Sequence, residues 1–218
     1  MILLNPISEL FVENYLNYFF GKKFFELEKK LKKENFPVVS RVVGYFLSQL
    51  VLVKKPRCIL ELGTGVGLST IYMAFFIKKF KLQTKIITLD IRQDFYERAK
   101  EVFKGFDLEG IIDHKLMDST SFLKKTFKTF DFIFFDHEKS RYKEDLDIIL
   151  DKNLIASQGI IIIDNLFARG EIFLPNSKKK RKQVLLSFID YLFSPQILKR
   201  AFVNILPISD GLGILAFF

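Results

Sequence analysis

A chain of 218 residues with 49% apolar residues can bury one large core, which excludes global disorder and suits one domain, or one domain with a helical extension. No run reaches the ~18 uncharged apolar residues of a membrane span, and the start, MILLNPISELFVEN, lacks a basic n-region and carries Glu9 and Glu13, so neither a membrane segment nor a signal peptide is expected. The formal charge is +9, and the single cysteine, Cys58 in RCILELG, forbids an internal disulfide, fits a cytoplasmic location and reads as a small buried residue.

Residues 1–55 read as an N-terminal helical extension, helical over 8–53. Phe24, Phe25, Leu27 and Leu31 share one face, as do Val39, Val42, Val43, Phe46, Leu47 and Leu50 in the next stretch, where Ser40 is placed to cap. Residues 56–218 read as one structural unit. Short apolar runs predict strands at 57–62, 85–90, 111–117, 131–136 and 159–164, with helices at 67–80, 93–104, 119–128 and 141–151 between them. Beyond a loop come a basic helix over 179–193 and strands at 200–206 and 212–218, joined by the SDGLG turn as an antiparallel hairpin. The expected fold is α/β: a doubly wound, mostly parallel, seven-stranded Rossmann-like sheet with a C-terminal hairpin and N-terminal helices. The continuous β-branched run GIIIID suits a strand covered on both faces.

CILELGTGVGLST sets a glycine turn, Gly63-Thr64-Gly65-Val66-Gly67, between the first strand and its helix, so that the backbone and the helix N-terminus can approach a ligand. The spacing is G-x-G-x-G, not the G-x-G-x-x-G of the dinucleotide fold. Such turns are common, but here Glu61 precedes it, Asp90 ends the second strand in TLD, and Asp118-Ser119 end the third in MDS. Ligands in open α/β sheets sit at these strand ends. Glu61 and Asp90 would repel a polyphosphate, whereas a cationic nucleoside with a free ribose fits. S-adenosylmethionine is the expected cofactor.

FFDHEKSRYKEDL ends the fourth strand on Asp136, with Lys139 one turn on, and IIIIDN ends the fifth on Asp164-Asn165. If those strands are neighbours, their ends lie about 5 Å apart. Two carboxylates and an amide oxygen there suit Mg²⁺, which takes hard oxygen ligands at about 2.1 Å. Each residue alone reads as an ordinary cap or a solvated charge; together they point to a metal.

ELGTGVGLST, TLD, FDFIFFDHEKSRY, IIIIDN and ISDGLG stand in the order and spacing of the Mg²⁺-dependent, catechol-O-methyltransferase-like family, which the chain resembles from about residue 36 to 218. The resemblance implies S-adenosylmethionine binding at Glu61, Gly63, Ser69, Asp90, Ser119 and Asp136. It implies metal ligation (Mg²⁺, or Mn²⁺ or Ca²⁺) by Asp136, Asp164 and Asn165, with Lys139 as general base. A homodimer is also expected. The chain departs from the catechol pattern: it has no Trp, Glu138 replaces an aromatic, and Asn204 stands where the animal enzymes carry a Glu that orients the second hydroxyl. NSKKKRKQVLLSF resembles the basic insertion of a bacterial branch that methylates 5-hydroxyuridine in tRNA. Residues 171–200 hold 7 Lys/Arg against 2 Asp/Glu, so tRNA bound through Lys178, Lys179, Lys180, Arg181 and Lys182 is slightly favoured over a small phenol. A nicotinamide oxidoreductase and a non-catalytic RNA-binding module are the readings from other classes.

Overall fold

The computed structural model describes residues 11, 13, 15, 16, 19–177 and 179–218. Seven strands form one sheet in the order β3-β2-β1-β4-β5-β7-β6: β1 (Cys58–Leu62), β2 (Lys85–Asp90), β3 (Ile112–Leu116), β4 (Phe130–Phe135), β5 (Ile155–Ile163), β6 (Ala201–Leu206) and β7 (Leu212–Phe217). The pairs among β1 to β5 are parallel, while β7 runs antiparallel to both β5 and β6. The chain leaves β1 towards β2 and returns on its other side as β4, so the order reverses between β1 and β4. That is where an open α/β sheet forms its crevice.

The two faces of β4 show why these residues make a central strand. Phe132 and Phe134 join the hydrophobic cluster on one face, with Ile59 and Ile71. Ile133 and Phe135 join the other, with Leu60, Leu146 and Phe188. Alternate side chains of a strand point to opposite faces, and here both faces are covered by helices. Cys58, expected to be buried, is half-buried at the start of β1.

The N-terminal region is helical, as expected, but broken. Helices Gly21–Lys33 and Arg41–Lys54 are separated at Glu34–Ser40, with Asn35 left-handed at φ +58°. Ser40 caps the second helix, accepting from the Val43 N–H at 3.3 Å. Residues 8–10, 12, 14, 17 and 18 of the stretch expected to be helical lie outside the described residues. Phe24, Leu31, Val43 and Leu47 belong to the same buried cluster as Ile59 and Phe132, so this region and the sheet share one core. Glu28, 1% exposed, ties the two helices together through Arg41 at 2.8 Å, and also pairs with Lys32 on its own helix at 2.7 Å.

β5 begins at Ile155 rather than 159. Its pairing jumps from Phe130↔Ile155 to Phe132↔Ile160, and Gln158 is left-handed at φ +61°. A bulge in ASQG absorbs the extra residues, and its polar side chains hid the strand's start from a hydrophobic pattern. Helix Ser119–Lys125 stops three residues short of the expected 128.

Gly44, inside helix Arg41–Lys54, lies against the buried Tyr72 ring, and a Cβ there would stand 2.3 Å from ring carbons. Gly→Ala in a helix interior ordinarily stabilises by roughly 0.5–1 kcal/mol. Here Gly44→Ala is expected to destabilise by about 1–3 kcal/mol through overpacking. Urea unfolding would read the sign, and a gain in stability would refute this packing.

Candidate active site

The glycine turn leaves β1 under two close constraints. A Cβ on Gly63 would meet the Asp136 carbonyl oxygen at 2.2 Å, and its φ of +101° suits glycine, so no side chain fits between the ends of β1 and β4. The N–H groups of Gly63 and Thr64 both donate to Leu89 O, at 3.0 and 2.9 Å, pinning the turn to the end of β2. Asp90 then braces the loop: Gly65 N–H donates to its Oδ2 at 2.8 Å and Arg92 N–H to its Oδ1 at 2.9 Å. Gly65 has open space where a Cβ would be.

A cavity of about 800 Å³ opens at these carboxyl ends. Gly63, Thr64, Gly65, Ser69 and Asp90 line it, and so do Asp118, Ser119, Asp136, Asp164 and Asn165. Two residues of the expected cofactor set do not line it. Glu61 is fully buried beneath the loop, accepting from Ser69 and Thr88, both at 2.6 Å, and from Thr70. Burial raises its carboxyl to about 7 even though three hydroxyls favour the charged form. Gly67 makes room for a ring instead, since a Cβ would stand 2.6 Å from Phe103.

At the other end of the cavity, Phe135 pairs with Ile163 and Asp164 N–H donates to Phe135 O at 2.9 Å, so Asp136 and Asp164 leave adjacent strands side by side. Asp164 is 3% exposed, and burial first, then the neighbouring Asp136, raises its carboxyl to about 7. Its Oδ1 accepts from the Asn165 N–H at 2.8 Å, and Asn165 is left-handed at φ +60°. Lys139 places Nζ 3.0 Å from Asp136 Oδ1, under the rim rather than in the cavity wall. Among the described residues no three His, Cys, Asp or Glu side chains gather as a metal site. The donors here are two carboxylates and one amide. A buried carboxylate this poorly compensated beside a second one, with an amide oxygen next in sequence, fits a hard divalent cation.

Several contributors were not legible beforehand. Asp145, fully buried, accepts from Ser119 at 2.9 Å and Thr120 at 2.6 Å, and its Oδ2 lies 2.8 Å from His137 Nε2. His137 lines the cavity, and its eight-residue spacing from Asp145 across a helix start was the available signal. Asp118 caps helix Ser119–Lys125 through Ser121 N–H at 2.9 Å and pairs with Arg141. Pro37–Ser40, between the N-terminal helices, forms a further wall. Asn204, which stands in place of the animal enzymes' Glu, is exposed on the edge strand β6 and does not line the cavity, whereas Asp210, Arg169 and Arg181 do. Of the basic run, Lys179 pairs with Glu171 at 2.8 Å and Lys182 is buried against the Leu174 carbonyl, while Lys178 lies outside the described residues.

The sequence matches the O-methyltransferase family over residues 20–216. It is 28% identical over 120 residues to O-methyltransferase hkm8 of Aspergillus hancockii, covering 55% of this chain and 47% of the fungal protein, so it spans about half that relative's length. It is 26% identical over 190 residues to caffeoyl-CoA O-methyltransferase of Medicago sativa, covering 83% of this chain and 74% of the plant protein. The crystal structure of Podospora anserina methyltransferase PaMTH1, bound to SAH, has the same fold: TM-score 0.83 at 24% identity, covering 98% of this chain and 97% of that one.

The buried Glu61 generates a pH prediction. Its carboxyl sits near 7 when folded against 4.5 as a free group, so the burial it tolerates while neutral is fully available below about pH 4.5 and is lost as pH rises through 7. Relative to Glu61→Gln, the native protein is expected to lose up to about 3 kcal/mol of unfolding free energy between pH 4.5 and 8. Urea titrations of both proteins at several pH values measure this difference; a constant gap means Glu61 is ionised throughout.

Proposed function

The chain belongs to the O-methyltransferase family and is an S-adenosylmethionine-dependent methyltransferase, and from that premise we propose that it methylates an acceptor hydroxyl with the help of a divalent cation, Mg²⁺ ahead of Mn²⁺ or Ca²⁺. One observation carries the reading: a single cavity joins the glycine turn and Asp90 at one end to Asp136, Asp164, Asn165 and the adjoining Lys139 at the other. Catalysis then rests chiefly on holding two reactants together, an effect worth up to roughly 7–11 kcal/mol in good geometry.

Asp90 spends part of its capacity on two backbone amides, and its remaining lone pairs accept the ribose hydroxyls. The open face at Gly65 admits the nucleoside, and Asp118, Ser119 and His137 face its base end. S-adenosylmethionine held along Asp90, Asp118 and Ser119 would supply an electrophilic methyl group for the acceptor oxygen. A divalent cation held by Asp136, Asp164 and Asn165 supplies a Lewis acid that favours the ionised acceptor hydroxyl. Lys139, beside Asp136, takes the acceptor's proton.

For the acceptor we favour the 5-hydroxyuridine of a tRNA. Arg169 and Arg181 are exposed and line the end of the cavity nearest Asp164, and Lys180 is exposed beside them. Phosphate contacts of this kind position a nucleic acid without reading its sequence. The second reading is a small phenol; the caffeoyl-CoA enzyme among the relatives favours it.

Labelled methyl transfer to unmodified tRNA and, in parallel, to a panel of phenols separates the two acceptors. Activity is expected to vanish in EDTA and to fall at least ~100-fold in Asp164→Ala, with cofactor binding retained. Asp90→Ala should weaken S-adenosylmethionine binding by roughly 1–3 kcal/mol in calorimetry, the range for charge-assisted hydrogen bonds. Full turnover in EDTA would remove the cation from the mechanism, and readily methylated phenols beside inert tRNA would favour the small acceptor.

A further inference from the structure

Tyr142 opens helix Tyr142–Asp151 six residues after Asp136 and is fully buried. Its hydroxyl lies 3.4 Å from the Phe135 carbonyl oxygen and 3.2 Å from the Asp164 carbonyl oxygen. Those carbonyls belong to the peptides that lead into Asp136 and into Asn165. The phenol thus spans the ends of β4 and β5 one step beyond their last paired residues, Phe135 and Ile163. The other side of the Asp164–Asn165 peptide is held as well, because its N–H donates to Asp164 Oδ1 at 2.8 Å. The ring carries Lys139 too, whose Nζ stands 5.2 Å from its centroid. Phe188 and His137 pack against the same ring, at 5.5 and 5.1 Å between centroids. One side chain therefore touches both strand ends and the lysine.

We infer that Tyr142 is a positioning residue that sets the backbone of Asp136, Asp164 and Asn165 for a divalent cation; the inference rests on the cation reading above. A tyrosine is suited to this, since its ring packs in the core while its hydroxyl reaches polar groups at the edge. A hydrogen bond shared between two acceptors at these distances is weak, so its value lies in orientation. Without it, the Asp164–Asn165 peptide, with its left-handed asparagine, keeps its N–H anchor and loses its carbonyl anchor. Residues that orient metal ligands typically cost 10–100-fold in metal affinity when altered.

Mn²⁺ binding, followed by the paramagnetic signal of the free ion, tests this without turnover. Tyr142→Phe keeps the ring and removes the clasp; it should weaken Mn²⁺ binding about 10-fold and leave S-adenosylhomocysteine binding, measured by calorimetry, as it was. Phe188→Leu loosens the packing of the same ring but spares the hydroxyl, so it should lower the unfolding temperature while Mn²⁺ affinity holds. Unchanged Mn²⁺ affinity in Tyr142→Phe overturns the inference, and so does an equal loss in Phe188→Leu, which would mean general loosening. If the unaltered protein binds no Mn²⁺, the cation reading falls and takes the inference with it.

Discussion

The site depends on the parallel, in-step pairing of β1, β4 and β5. Register brings Leu62 beside Phe135 and Phe135 beside Ile163, so the residue that follows each strand arrives at the same level. Gly63, Asp136 and Asp164 are those residues. A one-residue slip would turn every following side chain to the opposite face, and on β4 it would force Phe132, Phe134 and Phe135 into packing shaped for other side chains. Packing deep in the sheet is thus what brings polar groups together at its edge.

Three buried carboxylates near the cavity meet the cost of burial in different ways. Glu61 is surrounded by three hydroxyls. Asp145 is met by two hydroxyls and a histidine. Asp164 has the N–H of the next residue and a neighbouring acid. An unpaired buried charge is expensive; the carboxylates of Glu61 and Asp145 have hydroxyl donors from the fold itself, whereas that of Asp164 has none among the described residues and is the one poised to gain from a ligand. The contrast divides structural acids from the candidate functional one more sharply than exposure does, since all three are almost completely buried.

Much of this was legible because strong periodicity and strand-end chemistry coincide. The strand β2 fell where its apolar run placed it, and Asp90, Asp136, Asp164 and Asn165 all reached the cavity because a strand's last residue has few places to go. A motif does not say which way a side chain turns: Glu61, the fourth residue of β1, points into the helix layer and its hydroxyls, beneath the cavity rather than in its wall. Asn204, six residues before Asp210, sits on β6, the outer strand, away from the cavity. The start of β5 was hidden by polar residues in a bulge. His137 with Asp145 offered only an eight-residue spacing as a signal, and the wall at Pro37–Ser40 comes from tertiary packing that no local pattern encodes.

The basic run changes meaning once its internal contacts are counted. Lys182 is committed to the Leu174 carbonyl, and Lys179 already has a carboxylate in Glu171. A polyanion gains entropy chiefly by releasing the small ions condensed on it, one for roughly each phosphate that a cationic side chain neutralises. Lys179 would reach a phosphate only by leaving Glu171, and the carboxylate left behind would draw a cation from solution and cancel part of that release. The run is therefore a weaker ion exchanger than its five consecutive charges suggest, and the exposed guanidinium of Arg181, at the cavity, carries more of the effective field than its share of the sequence.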